Sequence, residues 1–211
     1  MLSQPSRQRT RARAPRLPAG ERRTQILDAA IRVFARQGYA GTGTADIARE
    51  ASIGEPTIYR YYANKRDLYV AAIQQASDEI RTAWQQIADD APDPVTALQR
   101  IGVWYYERMQ RHPERLLLRF RSFTESPDPG AAQAARDEYR ASLRFVESLF
   151  RDAQAQGLIG EDIDVRALTW LFIAVGSLLD VTQVLNLGDE LTPSDVVRLA
   201  ELLGGVQGAP E

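Results

Sequence analysis

Apolar residues in the first part of the chain recur every three or four positions, the spacing expected of a helix that buries one face. The stretch ends at Gly38, a residue suited to a left-handed helix terminus. We therefore predict a first helix that ends near Gly38. Its buried face would carry Ile26, Leu27, Ala30, Ile31 and Phe34.

Two short helices are predicted after the first one. The hydroxyl of Thr44 can accept hydrogen bonds from first-turn amides, so the second helix should start there and reach about Ala51. Residues 52–54 then form a turn. Pro56 is tolerated in the first turn of a third helix, because the N–H that it lacks would be unpaired there. Ile58 would anchor this third helix in the core.

Proline, glycine and acidic caps divide the rest of the chain. Asn64, with Asp67 at the third helical position, predicts the start of a long fourth helix. Later helices are predicted from Asp93-Pro94 to His112-Pro113, from there to near Ser126, over 131–156, from Asp164 to about Asn186, and from Thr192. No segment alternates apolar and polar residues with strand-like β-branched content. The sequence predicts an all-α protein of about nine helices, without internal repeats.

Residues 44–65 have the order of a helix-turn-helix, in which the second short helix lies in the major groove of DNA. The side chains of the third helix suit that role. Arg60 can read a guanine edge through two hydrogen bonds, and Thr57 can touch a thymine methyl or a phosphate. Phosphate contacts are expected from Thr44, Tyr59, Tyr61 and Lys65.

This region also resembles the TetR family of bacterial transcriptional regulators. The resemblance covers residues 22–69 and rests on several motifs in the expected order. They are the helix of residues 26–34, Gly38-Tyr39, Thr44, Ile47-Ala48, the turn at 51–54, Thr57-Ile58-Tyr59 and residues 64–68.

Two positions depart from the family pattern. Ser52 replaces a common turn glycine, and Glu55 stands where a basic residue is often found at the head of the recognition helix. A carboxylate at position 55 could accept a hydrogen bond from a cytosine amino group or reduce the affinity for phosphate. The operator sequence is therefore left open.

Three regions are expected along the chain. Residues 1–21 hold five arginines and three prolines, which predicts a flexible arm. Residues 22–68 would form the DNA-binding domain. The resemblance implies that residues 69–211 form a larger helical domain for dimerisation and ligand sensing.

A dimer through helices 7 and 8 of two subunits is expected from the same resemblance. Helix 8 is apolar nearly all round, as expected of a helix that is buried on more than one side. The candidate interface residues are Leu143, Val146, Leu149, Phe150, Leu168, Phe172, Val175 and Leu179.

The resemblance further implies a small-molecule pocket, although large apolar side chains describe a protein core equally well. The candidate lining residues are Trp84, Trp104, Tyr105, Met109, Phe120, Phe123, Trp170 and Gln183. The same region contains Arg108, Arg115, Arg119 and Arg121. An anionic or acyl ligand is therefore an open alternative. Asp180, alone on the apolar face of helix 8, would be a solvated or interface-bonded carboxylate or a polar anchor of the pocket.

Charge changes this view of the partners. The whole chain has a formal net charge of −2, which taken alone argues against nucleic acid. Residues 1–70, however, carry 13 basic and 6 acidic side chains, a net of +7, and residues 71–211 carry 13 and 22, a net of −9. The basic part coincides with the arm and the helix-turn-helix. The acidic remainder would repel DNA and help to orient the basic part toward it.

Composition excludes several other functions. The chain has no cysteine, which excludes a Cys nucleophile. Its single histidine, His112, makes a His-based metal site or a Ser/His/Asp triad hard to assemble. We expect no enzymatic activity, no cofactor and no metal. The weakly polar run 167–179 is short for a membrane span, and no signal peptide is recognisable. We therefore expect a cytoplasmic protein without a membrane partner.

Together these features predict a homodimeric, ligand-responsive repressor that binds a palindromic operator in double-stranded DNA and is released by a small molecule. The alternative is an all-α small-molecule-binding protein or enzyme without a DNA-binding role. The sequence leaves open the identity of the ligand, the target genes and the choice between repression and activation.

Overall fold

The computed structural model describes residues 18–126 and 128–185, together with the isolated residues 187, 190, 192, 194, 195, 198 and 199. This part of the chain is helical, as predicted, and contains no strand. Its eight helices are α1 Ala19–Gly41, α2 Thr44–Glu50, α3 Glu55–Tyr59, α4 Lys65–Asp89, α5 Pro94–Arg111, α6 Glu114–Thr124, α7 Pro129–Ala155 and α8 Val165–Val184.

Helix boundaries follow local signals in the sequence. The backbone of α1 breaks at Gly38, where φ is +68°, a value that favours glycine. The side chain of Asn64 caps α4 by accepting a hydrogen bond from the backbone N–H of Asp67 at 2.9 Å, as predicted. α1 already begins at Ala19, inside the segment predicted as an arm. The rest of the arm and most of the predicted ninth helix lie outside the described residues.

The start of α2 differs from the prediction. Gly43 is the residue before the helix, and the side chain of Asp46 accepts from its backbone N–H at 3.2 Å. The hydroxyl of Thr44 instead donates to the carboxylate of Glu55 in α3. α2 therefore begins without a hydroxyl cap, because the Thr44 side chain joins the two short helices.

The described residues form two hydrophobic cores that share two helices. We call the part around the first core, α1 to α3 and the first half of α4, the head, and the part around the second core the body. The head core contains buried side chains of α1 to α4 and, in addition, Leu118 from α6. The body core is built from α4 to α8, beginning at Ile80 in α4 and including Leu116 in α6. Both α4 and α6 thus pass from one core into the other. A displacement of either helix in the body is therefore carried into the head.

Ion pairs add polar links between head and body. Arg115 of α6 pairs with Asp28 of α1 at 2.8 Å and also with Glu79 of α4. Asp128, at the start of α7, accepts from Arg66 of α4, and this hydrogen bond lowers the pKa of Asp128 to about 2. These pairs are partly or fully exposed, and exposed ion pairs contribute little free energy. We therefore assign most of the coupling between head and body to the buried side chains.

α8 is the most apolar helix. It has 20 residues and contains an 18-residue window with a mean hydropathy of 1.6, so it is long and apolar enough to cross a membrane by length and composition alone, unlike the shorter run 167–179. One face, with Leu168, Ile173 and Leu179, is packed in the body core. Asp180 is buried beside that face. The apolar character of α8 therefore has a structural cause on this side, and its opposite side is described below.

Leu118→Ala should destabilise the head although this residue belongs to α6. Leu118 is fully buried in the head core, and a buried Leu→Ala change costs about 2–5 kcal/mol. Val103→Ala, at an exposed position of α5, is the matched control and should change the free energy of unfolding by less than about 0.5 kcal/mol. Urea unfolding at one protein concentration measures both. Equal losses for the two variants would contradict a core shared between head and body.

Candidate DNA-binding surface and ligand cavity

α3 and the two residues after it present most of the side chains predicted to contact DNA. Their buried anchors are Ile58 and Tyr62. Tyr59 is 50% exposed, Arg60 is exposed, and Thr57 and Tyr61 are half-buried. Within the described part of the chain, no hydrogen bond or ion pair engages the guanidinium of Arg60. That group is therefore available to a base edge or a phosphate.

Thr44, Glu55 and Tyr59 form a polar cluster at the junction of α2 and α3. The hydroxyl of Thr44 donates to the Glu55 carboxylate and lies 3.0 Å from the hydroxyl of Tyr59. A carboxylate is favourable at the start of a helix, because the first N–H groups are unpaired there. On the same surface, however, its charge opposes phosphate. The cluster orients Tyr59 and sets a negative charge at the head of α3.

Lys65 points inward. Its ammonium donates to the backbone carbonyls of Tyr39 at 2.9 Å and Thr42 at 3.0 Å, and it lies 4.3 Å from the centre of the Tyr39 ring. These carbonyls belong to the end of α1, where the helix provides no partners for them. Lys65 thus fastens the start of α4 to the end of α1 with two of its three ammonium protons, and its phosphate contact stays a prediction.

A narrow cavity lies inside the body between α4, α5, α6, α7 and α8. Its volume is about 60 Å³, enough for a few water-sized groups. Of the predicted pocket residues, Trp84 and Tyr105 line it. Several residues predicted for the dimer interface also line it, namely Phe150, Phe172, Val175 and Leu179.

The other predicted pocket residues are not part of the cavity wall. Met109 is buried in the body core, Trp170 is 49% exposed, and the ring of Phe123 packs edge-on against Tyr139 at 5.1 Å between centroids. The remaining residues of this kind are Trp104, Phe120 and Gln183. Their prediction rested on aromatic content, which does not distinguish the face of a helix that turns toward a cavity.

Arg119 is the charged residue among the described residues of the cavity wall. From the sequence it was noted only as one of four arginines that would suit an anionic ligand. It lies three residues from both Leu116 and Ser122, and all three side chains are buried on one face of α6. Its Nη1 donates to the hydroxyl of Ser142 at 3.0 Å, and its guanidinium carbon lies 5.7 Å from the centre of the Trp84 ring. The periodicity of α6 was the signal that could have identified it.

Asp180 and Tyr105 form a buried pair next to Arg119. The Tyr105 hydroxyl lies 2.9 and 3.0 Å from the two carboxylate oxygens of Asp180 and donates to them. Burial raises the pKa of Asp180 to about 7, although the positive charge of Arg119 acts in the opposite direction. Burial also raises the pKa of Tyr105, so its hydroxyl keeps the proton that it donates. The structure therefore places Asp180 inside the body rather than on an interface.

The predicted interface residues are largely packed inside one subunit. At most 9% of the surface is exposed for Val146, Leu149, Phe150, Leu168 and Leu179. Leu143 and Phe172 are half-buried against the body core, and Val175 is half-buried at the cavity. A side chain that fills its own core has little surface left for a second subunit. The packing leaves these eight side chains little free surface, and an interface through α7 and α8 stays a prediction.

The opposite side of α8 carries an exposed apolar stripe instead. We use α8 stripe for the residues Ala167, Leu171, Ala174, Leu178, Val181 and Leu185. They follow each other at alternating intervals of four and three, the spacing of a seam between two packed helices. Sequence reasoning missed the stripe because nearly every position of this helix is apolar, so no polar residues outline the two faces.

Comparison with known proteins gives related regulators. Residues 26–72 match the family described as bacterial regulatory proteins, tetR family. The transcriptional repressor SCO4008 of Streptomyces coelicolor is 30% identical over 159 residues, which cover 74% of this chain and 76% of that relative. The transcriptional repressor NicS of Pseudomonas putida is 25% identical over 164 residues, which cover 76% of this chain and 74% of that relative.

A solved structure shows the same fold. FadR from Bacillus subtilis, determined in complex with stearoyl-CoA, has a TM-score of 0.69 at 19% identity, over 87% of this chain and 96% of that chain. The compared proteins are regulators, so they give no support to the alternative of an all-α enzyme or carrier without a DNA-binding role. The chain belongs to the TetR family of bacterial regulatory proteins and is a helix-turn-helix transcriptional regulator.

Proposed function

We propose that the protein is a homodimeric repressor in the cytoplasm that binds a palindromic operator and releases it when an apolar small molecule occupies the cavity. The observation that carries this proposal is the exposed α8 stripe. It supplies a self-complementary surface, and two-fold symmetry through that surface presents two copies of α3 to one duplex.

The α8 stripe suits contact with its own symmetry mate. Its largest side chains, Leu171, Leu178 and Val181, are 51%, 47% and 38% exposed. Several exposed positions of α7 carry charged side chains, among them Arg136 and Arg140. We therefore place α8 at the centre of the interface and α7 at its rim, in line with the apolar centre and polar border of protein interfaces.

Two symmetric heads define the form of the operator. The recognition helices of a two-fold symmetric dimer read half-sites whose centres lie about 34 Å apart, or a longer multiple of the helical repeat. Such half-sites form a palindrome. Arg60 would supply base recognition, with Thr57, Tyr59 and Tyr61 as further contacts. Thr44 would act by holding Glu55 and Tyr59 in place.

A ligand bound in the body can change the position of the heads through α6. The cavity of about 60 Å³ is far smaller than the roughly 300–1,000 Å³ of ligand pockets, so a ligand must separate its walls. α6 forms one wall through Arg119 and enters the head core through Leu118. The stearoyl-CoA complex of the related FadR supports an apolar effector. A coupling of about 1–3 kcal/mol would reduce operator affinity roughly 5- to 150-fold.

Leu178→Glu should convert the dimer into a monomer, because it buries a charge at the centre of the seam. Val103→Glu, which adds the same charge at an exposed apolar position of α5, should stay dimeric. Sedimentation velocity at micromolar concentration distinguishes the two states. The proposal is contradicted if Leu178→Glu has the sedimentation coefficient of the wild type.

Arg60→Ala and Lys65→Met should affect different properties. Loss of the Arg60 guanidinium should cost about 1–3 kcal/mol of operator affinity and relax base preference at one position. Loss of the Lys65 ammonium should mainly lower the free energy of unfolding, by about 1–3 kcal/mol, because two carbonyls at the end of α1 lose a charged donor.

Anisotropy titrations with an operator selected from random duplexes, and with a scrambled duplex, measure the first effect, and urea unfolding measures the second. An Arg60→Ala variant that weakens both duplexes equally would show a phosphate contact and no base reading. A Lys65→Met variant of unchanged stability would contradict the clamp.

A further inference from the structure

We propose that the cavity binds an apolar monocarboxylic acid, such as a fatty acid or a fused-ring aromatic acid, whose carboxylate pairs with Arg119 at the inner wall. This inference rests on the proposed ligand response and names the ligand class for that same cavity. The argument depends on the state of Arg119, on the position of Asp180 and on the apolar remainder of the wall.

Arg119 is a buried charge with an open side. Only 6% of its surface is exposed, and it lines the cavity. Nη1 donates to Ser142 at 3.0 Å, whereas Nε is buried without a hydrogen-bond partner among the described residues. A buried cation is costly unless it is paired and hydrogen-bonded. An anion that enters the cavity would therefore gain a strong partner there.

The edge of an arginine formed by Nε and Nη2 binds carboxylates elsewhere in this molecule. Arg66 donates from Nε and Nη2 to the two oxygens of Asp128, and Arg115 donates from Nε and Nη2 to Glu79. In Arg119, Nη1 donates to Ser142, and a hydrogen bond with the guanidinium lowers the pKa of the neighbouring Tyr105 hydroxyl against the stronger effect of burial. Nε is buried without a partner among the described residues. A carboxylate matches this planar edge with two parallel hydrogen bonds.

Asp180 does not satisfy Arg119. Both of its oxygens accept from Tyr105, and no ion pair within 4.0 Å joins it to Arg119 in the described structure. Burial holds its pKa at about 7, so at or below neutral pH a large fraction is uncharged. The other ionisable groups near it are Tyr105 and Tyr139, and burial raises the pKa of both. Arg119 therefore provides the net charge of this site.

The remainder of the wall matches a hydrocarbon or aromatic body. It includes Leu98, Ile101, Phe150, Ile159 and Phe172. Beside Arg119, the indole N–H of Trp84 is also buried without a partner among the described residues. It can donate a further hydrogen bond to a ligand oxygen. A neutral hydrocarbon would leave both donors unpaired, which disfavours it.

A free acid also fits better than an acyl thioester of a large polar carrier. Either ligand must separate the walls of a cavity of about 60 Å³, but a large polar coenzyme head group does not match these apolar walls and would have to stay outside. Only the acyl chain would then extend inward, and it would bring no charge to Arg119. The inner wall thus favours a ligand whose carboxylate is its buried end.

The experiment uses the full-length dimer and matched ligands. Isothermal titration with the saturated acids from hexanoic to hexadecanoic acid and a naphthoic acid, each beside its methyl ester and below its critical micelle concentration, gives the affinities. We expect at least one acid to bind ten or more times more tightly than its ester and to release operator DNA. The corresponding acyl-CoA should also bind more weakly than the acid.

Variants assign the effect to Arg119. Arg119→Met should lower the affinity for the acid to that of the ester, and Arg119→Lys should give an intermediate loss because the planar edge is absent. Arg121→Met, on the same helix but outside the cavity wall, is the matched control and should keep the preference for the acid. Operator binding without ligand confirms that each variant is folded.

The pH dependence gives an independent readout. As the pH rises from about 6 to about 8, Asp180 loses its proton, and its negative charge offsets Arg119 and repels a carboxylate. Affinity for the acid should therefore fall, by roughly three- to tenfold, whereas affinity for the ester should not. The dependence should disappear in Asp180→Asn. An unchanged pH dependence in this variant would overturn the inferred role of the pair.

The outcomes separate this inference from the proposed function. If esters or acyl-CoA bind and release DNA as well as the acids do, and Arg119→Met changes nothing, the ligand response stands and the carboxylate site is wrong. The proposed ligand response itself is wrong if no acid, ester or acyl-CoA binds and if Gly102→Leu, which fills the cavity, leaves the operator affinity unchanged. Gly102 suits this control because it lines the cavity, and a Cβ at this position would have open space for 4 Å around it.

Discussion

The structure depends on the packing of α6 between two cores. Leu118 is buried with the side chains of α1 to α4, while the next residue, Arg119, lines the cavity of the body. Because protein cores are densely packed, α6 cannot move away from the cavity without disturbing the head. In the proposed mechanism, this arrangement makes one short helix the link between a ligand in the cavity and DNA. The ion pairs of Arg115 and Arg66 with neighbouring helices reinforce the link at the surface.

Charge is divided in the same way as structure. The basic first third carries the recognition helix, and the acidic remainder carries the cavity and the α8 stripe. Arg119 is the exception, a buried cation inside an acidic domain. At the DNA surface the exception is Glu55, which is tied to Thr44. At Arg119 and at Glu55, a partner of opposite charge or a hydrogen-bond donor would give binding specificity.

The fold was predictable because its signals are local. Periodic apolar residues, the Asn64 cap and the break at Gly38 each act within a few residues of chain, and the structure agrees with them. Arg60 was chosen in the same way, from its place near the end of a short predicted helix, and its role in base recognition stays a prediction. The inward contacts of Lys65 could not be predicted, because its partners are carbonyls more than twenty residues earlier, at the end of α1.

The body was harder to predict for a physical reason. Apolar content shows that α7 and α8 are buried, but it does not show which side meets the cavity, the core or a second subunit. Phe150 and Leu179, which were expected at the interface, line the cavity, and the α8 stripe was overlooked. The periodicity of α6 places Arg119 on a buried face with Leu116 and Ser122, but only the packing of α6 shows that Arg119 lines the cavity.

Reciprocal coupling between cavity and operator tests the central claim most directly. The affinity of a bound acid should be measured by titration once with the free dimer and once with the dimer saturated by operator duplex. If α6 couples the two sites, the ligand must bind the DNA complex roughly 5- to 150-fold more weakly, the same factor by which it weakens DNA binding. Equal affinities in the two titrations would contradict the account.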